Sequence, residues 1–328
     1  LPHSQKLFSF ALIFITLSEL CYFFWKFNPF VPISYMYPKT TVTEWLVKNT
    51  NNFDRVWGYG SAHTEANIQT LQKVSSAEGY DPLYIKSYGE FISSSKNGQI
   101  SSEFSNINRS DAIINPGYGE TDFSTNIYRQ KMLSLLGVKY ILARLEDPIS
   151  EKTFPPKQYP LIADFDGWKV FLNSERYPRA YLVDKFIQYH SPQEFSSIFY
   201  QPGFNAQTTI LTDEYIPLES TDLSLESSTK IVTYEPNSII IETQSNKSAL
   251  LFLSDSYYPG WNAYVDGKTT KIYRVNYAFR GVLVPQGNHV VTYSYNPKSF
   301  HYGIYCGLFT LLIVIVFIHI INKANTHR

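Results

Sequence analysis

The sequence predicts a membrane-anchored α+β protein, with two transmembrane helices flanking an extracytoplasmic α/β domain and, after it, an antiparallel β-sandwich. Three observations predict this. Long apolar runs stand near both ends, helix and strand patterns alternate through the first part of the interior, and from about Pro217 short strands follow one another with no helix between them.

Tyr302–Ile321 holds twenty residues without Asp, Glu, Lys or Arg, the length a helix needs to cross about 30 Å of hydrocarbon. Leu7–Trp25 is the second run, nineteen residues in which Ser9, Thr16, Ser18 and Glu19 are the polar members. A signal peptide is its competing reading. No Ala-x-Ala site follows it, however, and Tyr22, Phe23, Phe24 and Trp25 crowd its end, as rings do where a helix leaves the bilayer. Glu19 lies about two turns inside that end. It is either a carboxylate reaching for the interface or a contact with another helix. Lys6, Lys323 and Arg328 flank the runs on one side and Lys26 and Lys298 on the other, so the charge bias is slight. Two spans put both termini on one side, and the polar residues 27–300 are expected outside the cytoplasm. The chain starts with Leu a few residues before a span, so a missing N-terminal part is expected.

The segments expected are residues 1–26 for the first span and its flank, 27–215 for the α/β domain, 216–300 for the sandwich, and 301–328 for the last span with a short cytoplasmic tail. Prolines from Pro29 to Pro38 make an extended exit from the membrane. Thr40–Lys48 reads as a short helix capped by Thr41 or Thr43, Arg55–Gly60 as a strand, and Pro82–Ser93 as a helix capped by Asp81. Ser94–Gly119, rich in Ser, Asn and Gly, is expected to be a mobile loop. Phe123–Leu136 has Tyr128, Met132, Leu135 and Leu136 on one side of a helix, which Gly137 stops before the strand Val138–Ala143. Strands follow at Gly167–Leu172 and Arg179–Val183, and a helix at Ser191–Tyr200 begins with Ser191-Pro192.

Beyond Pro217 about seven strands recur every 8–12 residues, separated by Glu235-Pro236-Asn237, Asp266-Gly267 and Gln286-Gly287-Asn288. That spacing is the pattern of an antiparallel sandwich. The last strand feeds straight into the apolar run, which holds the β-domain against the bilayer surface.

Composition excludes several classes. Net charge is zero, so no basic surface argues for nucleic acid. Both cysteines, Cys21 and Cys306, fall in the apolar runs, so there is no disulfide framework and no zinc spacing. No metal, cofactor or catalytic residue is expected within the chain, because no Ser/His/Asp or Cys/His constellation and no phosphate-cradling Gly loop can be ordered along it. The 26 Tyr and 23 Phe suit either a β-core or a surface that stacks on sugars. Candidate glycan or acceptor contacts are Tyr257, Tyr258 and Trp261, with core packing as the alternative for these three, and Arg179, a candidate anion contact after Pro178. Tyr257 and Tyr258, being adjacent, are expected on opposite strand faces. Asp255 and Arg280 form the candidate structural polar pair, Asp266-Gly267 the hairpin turn, and His289 a plain strand residue.

Leu251–Trp261, Val265-Asp266-Gly267-Lys268, Arg280-Gly281-Val282, Val284–His289 and Tyr295-Asn296-Pro297 together resemble the C-terminal end of YfhO-type bacterial membrane proteins. Shorter matches stand upstream, at Asn28-Pro29, Arg55-Val56, Glu78–Leu83, Leu136–Tyr140 and Tyr177–Ala180. Such proteins look like GT-C-type glycosyltransferases, which take sugars from lipid phosphates on the outer side of the cytoplasmic membrane. The resemblance implies a multi-pass protein whose partners are the lipid bilayer, a polyprenyl-phosphate-linked sugar, a cell-envelope polymer as acceptor, and helices upstream in the same full-length chain. The catalytic acidic residue of that fold lies on a first outward loop that has no counterpart here. A membrane-anchored module that binds glycan or protein without catalysis is the rival reading.

Overall fold

The computed structural model describes residues 3–28, 32, 40–63, 72–80, 84–100, 111–218 and 224–326. The chain forms two units, Leu1–Glu44 and Trp45–Arg328. The cap at Asp81, most of the proline exit and residues 101–110 of the expected loop lie outside the described residues.

In the first unit His3–Phe27 is one helix of 25 residues with mean hydropathy 2.0 and every side chain exposed. It is about 37 Å long, enough to cross a bilayer. Two of its hydroxyls bond within the helix: Ser9 donates to the Gln5 carbonyl and Thr16 to that of Leu12, both at 2.9 Å. The helix Thr41–Asn49 starts from a reciprocal pair. Thr43 N donates to Thr40 Oγ1 at 3.3 Å, and Thr40 N donates to Thr43 Oγ1 at 2.9 Å. Thr40, one residue before Thr41 and three before Thr43, therefore closes the first turn in place of either expected cap.

Among the described residues the second unit has, besides a two-stranded sheet formed by Gly79–Tyr80 and Asp111–Ala112, three larger sheets. The first has the order Ser75–Ser76, Arg55–Gly58, Val138–Arg144, Trp168–Leu172, Leu161–Phe165. Its first two pairings are parallel and its last two antiparallel. The expected helix over 123–136 is two helices, Asp122–Thr125 and Ile127–Leu135, because Asn126 breaks the path and its side chain caps the second through Arg129 N. Met132, Leu135 and Leu136 are fully buried, and Gly137 at φ +66° turns the chain into the strand. The described flanks of the expected mobile loop are packed: Ser94, Ser95, Ile100 and Ile114 are buried.

The second sheet has six strands: Ala180–Val183, Ala249–Ser256, Phe279–Val284, Ile272–Val275, Thr209–Thr212 and Lys185–Gln188. Its second strand, Ala249–Ser256, is buried on both faces. That is why it reads as a continuous apolar run rather than as an alternation. Leu250 and Phe252 pack with Phe91, Phe195, Phe199 and Phe279 on one side. Leu251 and Leu253 pack with Ile239, Ile241, Val291 and Tyr293 of the third sheet on the other. Each such side chain stabilises the fold by about 1.5–3 kcal/mol through burial.

The third sheet is antiparallel throughout, in the order Ser227–Glu235, Ser238–Ser245, Gly287–Tyr295, Trp261–Val265, Lys268–Thr270. The second and third sheets form the sandwich. Strands Ala180–Val183, Lys185–Gln188 and Thr209–Thr212, which precede residue 216, are part of it, so the segments on either side of the expected seam share one sheet and one core. The last strand ends at Tyr295, and the helix Lys298–Thr326 begins three residues later; its apolar part, Lys298–Ile321, has mean hydropathy 2.7.

Candidate functional site

A buried polar cluster is built around Asp255. The ladder between Ala249–Ser256 and Phe279–Val284 slips register between Leu253 and Ser256. Such a bulge re-aims the residues it contains, here Ser254 and Asp255. Asp255 Oδ2 accepts from Arg280 Nη2 at 3.0 Å, and Oδ1 accepts from Arg179 Nη2 at 2.5 Å and from the Tyr234 hydroxyl at 2.9 Å. Arg55 Nη2 stands 3.6 Å from Oδ1, while its Nη1 donates to Ser254 Oγ at 3.0 Å and to the Leu136 carbonyl at 2.8 Å. Arg55 comes from the first sheet, Asp255 and Arg280 from the second, Tyr234 from the third, and Arg179 stands just before the second sheet's first strand.

The charges do not balance: three guanidiniums share one carboxylate, and all four side chains are at most 9% exposed. Burial pushes the Asp255 carboxyl up, but Arg179, Arg280 and Arg55 outweigh it and hold it down at about 2. Burial, aided by the Arg179 charge, lowers the Arg55 pKa. For Arg179 burial works against the charge, and Asp255 and Tyr234 more than offset it. Aromatic faces carry part of the surplus. The Arg280 guanidinium lies 4.0 Å from the Trp261 ring centroid and 5.3 Å from that of Tyr293, and Arg179 lies 5.3 Å from that of Tyr234. A desolvated contact of this kind contributes up to about 2 kcal/mol.

Two clefts flank the edge strand Ser227–Glu235 where Thr229 Oγ1 donates to the Ala180 carbonyl at 2.8 Å. The larger, about 800 Å³, is lined by Gln207, Thr208, Ser224, Ser227 and Ser228 among others. Its hydroxyls and amide match the hydrogen-bonding of a sugar or an extended chain. The smaller, about 550 Å³, is lined by Phe53, Asp54, Arg176, Arg179 and Lys230 among others. Lys139 pairs with Asp54 at 2.8 Å.

The candidate aromatic residues gather where the third sheet meets the C-terminal helix. Trp261 pairs with Tyr295 across the ladder, with ring centroids 5.3 Å apart, and Tyr258 stands 6.4 Å from the same Tyr295 ring. Trp261 is partly buried, with one face against Arg280. Tyr257 and Tyr258 lie beyond the strand end at Ser256 and are both exposed, so the expected split between two strand faces does not arise. Asp266 at φ +50° and Gly267 at φ +77° make the hairpin turn, the paired positive φ of a two-residue loop. His289 is more than a plain strand residue: its Nδ1 meets Asp266 Oδ2 at 2.6 Å, a contact that raises the His289 pKa. Glu19 is exposed on the helix His3–Phe27.

Among the described residues no group of three or more His, Cys, Asp or Glu is placed to hold a metal ion. Sequence reasoning had Asp255, Arg280 and Arg179 but not Arg55, Tyr234 or Ser254. The available signal was an Arg heading the otherwise apolar strand Arg55–Gly58.

Residues 218–307 match the family described as bacterial membrane protein YfhO. Over 87 residues the chain is 26% identical to a protein of Bacillus subtilis (strain 168) named "Uncharacterized protein YfhO". That stretch is 26% of this chain and 10% of the relative's length. No solved structure matches the chain. The matched residues take in the whole third sheet, the strands of the second sheet that follow Ala249, and the entry into the apolar helix. Over residues 218–307 this chain is therefore similar to the YfhO family of bacterial membrane proteins.

Proposed function

We propose that this chain is the C-terminal, non-catalytic part of a GT-C-like glycosyltransferase, a multi-pass protein of the cytoplasmic membrane whose large domain stands on the extracytoplasmic side. The full-length enzyme would pass a sugar from a polyprenyl-phosphate carrier to a cell-envelope polymer. The domain described here would shape the acceptor side, and the catalytic carboxylate would belong to upstream helices. The observation that carries this reading is where the family match lies: it runs through the sandwich and ends inside the apolar helix. The matched unit is a β-domain joined to a span, which suits a lid over chemistry at the membrane surface.

The test is transfer in proteoliposomes. Full-length protein with a radiolabelled polyprenyl-phosphate sugar and envelope polymer is expected to label the polymer, and the 328-residue chain alone is not. No labelling by the full-length protein overturns the transferase reading. The hydroxyl-lined cleft favours a second reading, a non-catalytic glycan-binding module. That reading is supported if the 328-residue chain in detergent retains envelope glycan while the full-length protein transfers nothing.

Orientation is tested separately. With Cys21 and Cys306 replaced by Ser, a Lys268→Cys variant is expected to react with a membrane-impermeant maleimide on intact cells. Reaction only after lysis puts the domain on the other side.

A further inference from the structure

We infer that the turn Tyr257-Tyr258-Pro259, backed by Tyr295, is a seat on the bilayer: it rests in the headgroup and glycerol layer of the phospholipid around the protein's own C-terminal span. This requires only that Lys298–Ile321 crosses the membrane; it stands whatever the fate of the transferase reading or the sidedness.

The first argument is distance. The uninterrupted apolar run begins at Tyr302, four residues after the helix start, which places Lys298 about 6 Å above the hydrocarbon boundary. The polar layer on each side of the hydrocarbon is about 5–8 Å deep. Lys298 is therefore within or at the top of that layer. Tyr295 is three residues before it, and the Tyr258 ring stands 6.4 Å from the Tyr295 ring.

The second argument is stiffness. No free linker separates sheet from helix. Asn296 N donates to the Gly260 carbonyl at 2.8 Å, Phe300 N to the Pro297 carbonyl at 3.1 Å, and His301 Nε2 meets Asn296 Oδ1 at 2.6 Å. Gly260 sits at φ +101°, and a Cβ there would lie 2.9 Å from both Pro297 Cβ and the Tyr295 ring. The turn bearing Tyr257 and Tyr258 is thus bolted to the first turn of the spanning helix and cannot lift away from the membrane without breaking these contacts.

The third argument is chemistry. Ser256–Trp261 carries no charge, and Tyr257 and Tyr258 are 36% and 47% exposed. Phe300, Tyr302 and Tyr305 on the helix's first turns are each 64% exposed. Rings with a polar tip at a span's entry are the composition of a membrane-interface belt. Here the belt extends from the helix onto the sheet.

The test uses the whole chain in phosphatidylcholine–phosphatidylglycerol nanodiscs, in a Cys21→Ser, Cys306→Ser background, with a nitroxide on Tyr258→Cys. The control is the same label on Lys268→Cys, in the hairpin at the far end of the strand Trp261–Val265, about 13 Å further along. The water-soluble nickel chelate is expected to relax the label at position 258 several-fold less than at position 268, and oxygen to relax it more. Tyr257→Cys reads the same layer independently should one label disturb the turn. Equal chelate access at 258 and 268 overturns the inference. So does shielding of 258 from both chelate and oxygen, which would mean that protein covers the turn.

Discussion

Asp255 and Arg280 face each other from neighbouring antiparallel strands, 3.0 Å apart, where the ladder between those strands slips. The bulge that turns Asp255 towards Arg280 also turns it towards Arg179 and Tyr234, and carries Ser254 to Arg55. One irregularity in one strand thereby ties the three sheets together. The tie is a surplus of positive charge around one carboxylate, so its loss has unequal consequences depending on which partner goes.

Asp255→Ala leaves three buried guanidiniums with no counter-charge. Removing one partner of a buried ion pair costs about 3–5 kcal/mol. Chemical denaturation is expected to show a loss of that size. Arg55→Met, which removes one of the surplus charges and leaves Asp255 bound to Arg179 and Arg280, is expected to cost clearly less. Equal losses would mean that charge imbalance is not what the site holds in check.

Acid should loosen the same site. The Asp255 carboxyl titrates at about 2 in the folded protein against an ordinary 3.8. A group depressed on folding contributes stability that is fully present above the unfolded pKa and lost as pH falls through the folded one. The contribution, about 2 kcal/mol from a shift of this size, is expected to fade between about pH 4 and pH 2. Asp255→Asn is expected to flatten that part of the stability–pH curve.

Gly260→Ala puts a methyl group against Pro297 and Tyr295 at a backbone angle that side chains rarely adopt. Strain of this kind costs about 1–3 kcal/mol. Thermal unfolding of the chain in nanodiscs is expected at a lower temperature. The nitroxide on Lys268→Cys should also become more mobile if the joint between sheet and helix has loosened.

His289 is expected to titrate above its ordinary 6.5 because it bonds to Asp266. In an NMR titration Asp266→Asn should move it back down. As a raised histidine, its contribution to the hairpin is present below pH 6.5 and is lost as pH rises through the folded value. An unmoved midpoint in the variant would show that the contact does not persist in solution.

Elements whose cause is local were legible. Gly137 ends a helix because the chain needs a positive φ there, Ser191-Pro192 starts one because Ser191 accepts from Glu194 N, and Asp266-Gly267 turns a hairpin because both tolerate left-handed backbone. Strands Leu161–Phe165 and Lys185–Gln188 were not legible. They are largely exposed edge strands with little apolar contrast, and only the neighbouring strand makes them strands. Thr209–Thr212 was missed for another reason: it is a short buried strand, held by parallel pairing with Lys185–Gln188. The candidate site divides the same way. Asp255, Arg280 and Arg179 stood out as charges in or beside apolar strands, whereas Arg55, 200 residues from Asp255 in the chain, joins them only through the stacking of sheets.

Local patterning alone gave away the apolar helices at the two ends, the change to short strands after Pro217, and the passage of the last strand into an apolar helix, because hydropathy and turn chemistry act over a few residues. Tertiary structure alone decided that strands before and after residue 216 share one sheet, that three arginines converge on one carboxylate, and that Trp261 turns a face to Arg280 while Tyr257 and Tyr258 stay exposed. Those outcomes depend on which distant strands pair and on where a ladder slips. Pairing free energy is spread over many contacts and leaves no mark at any single position.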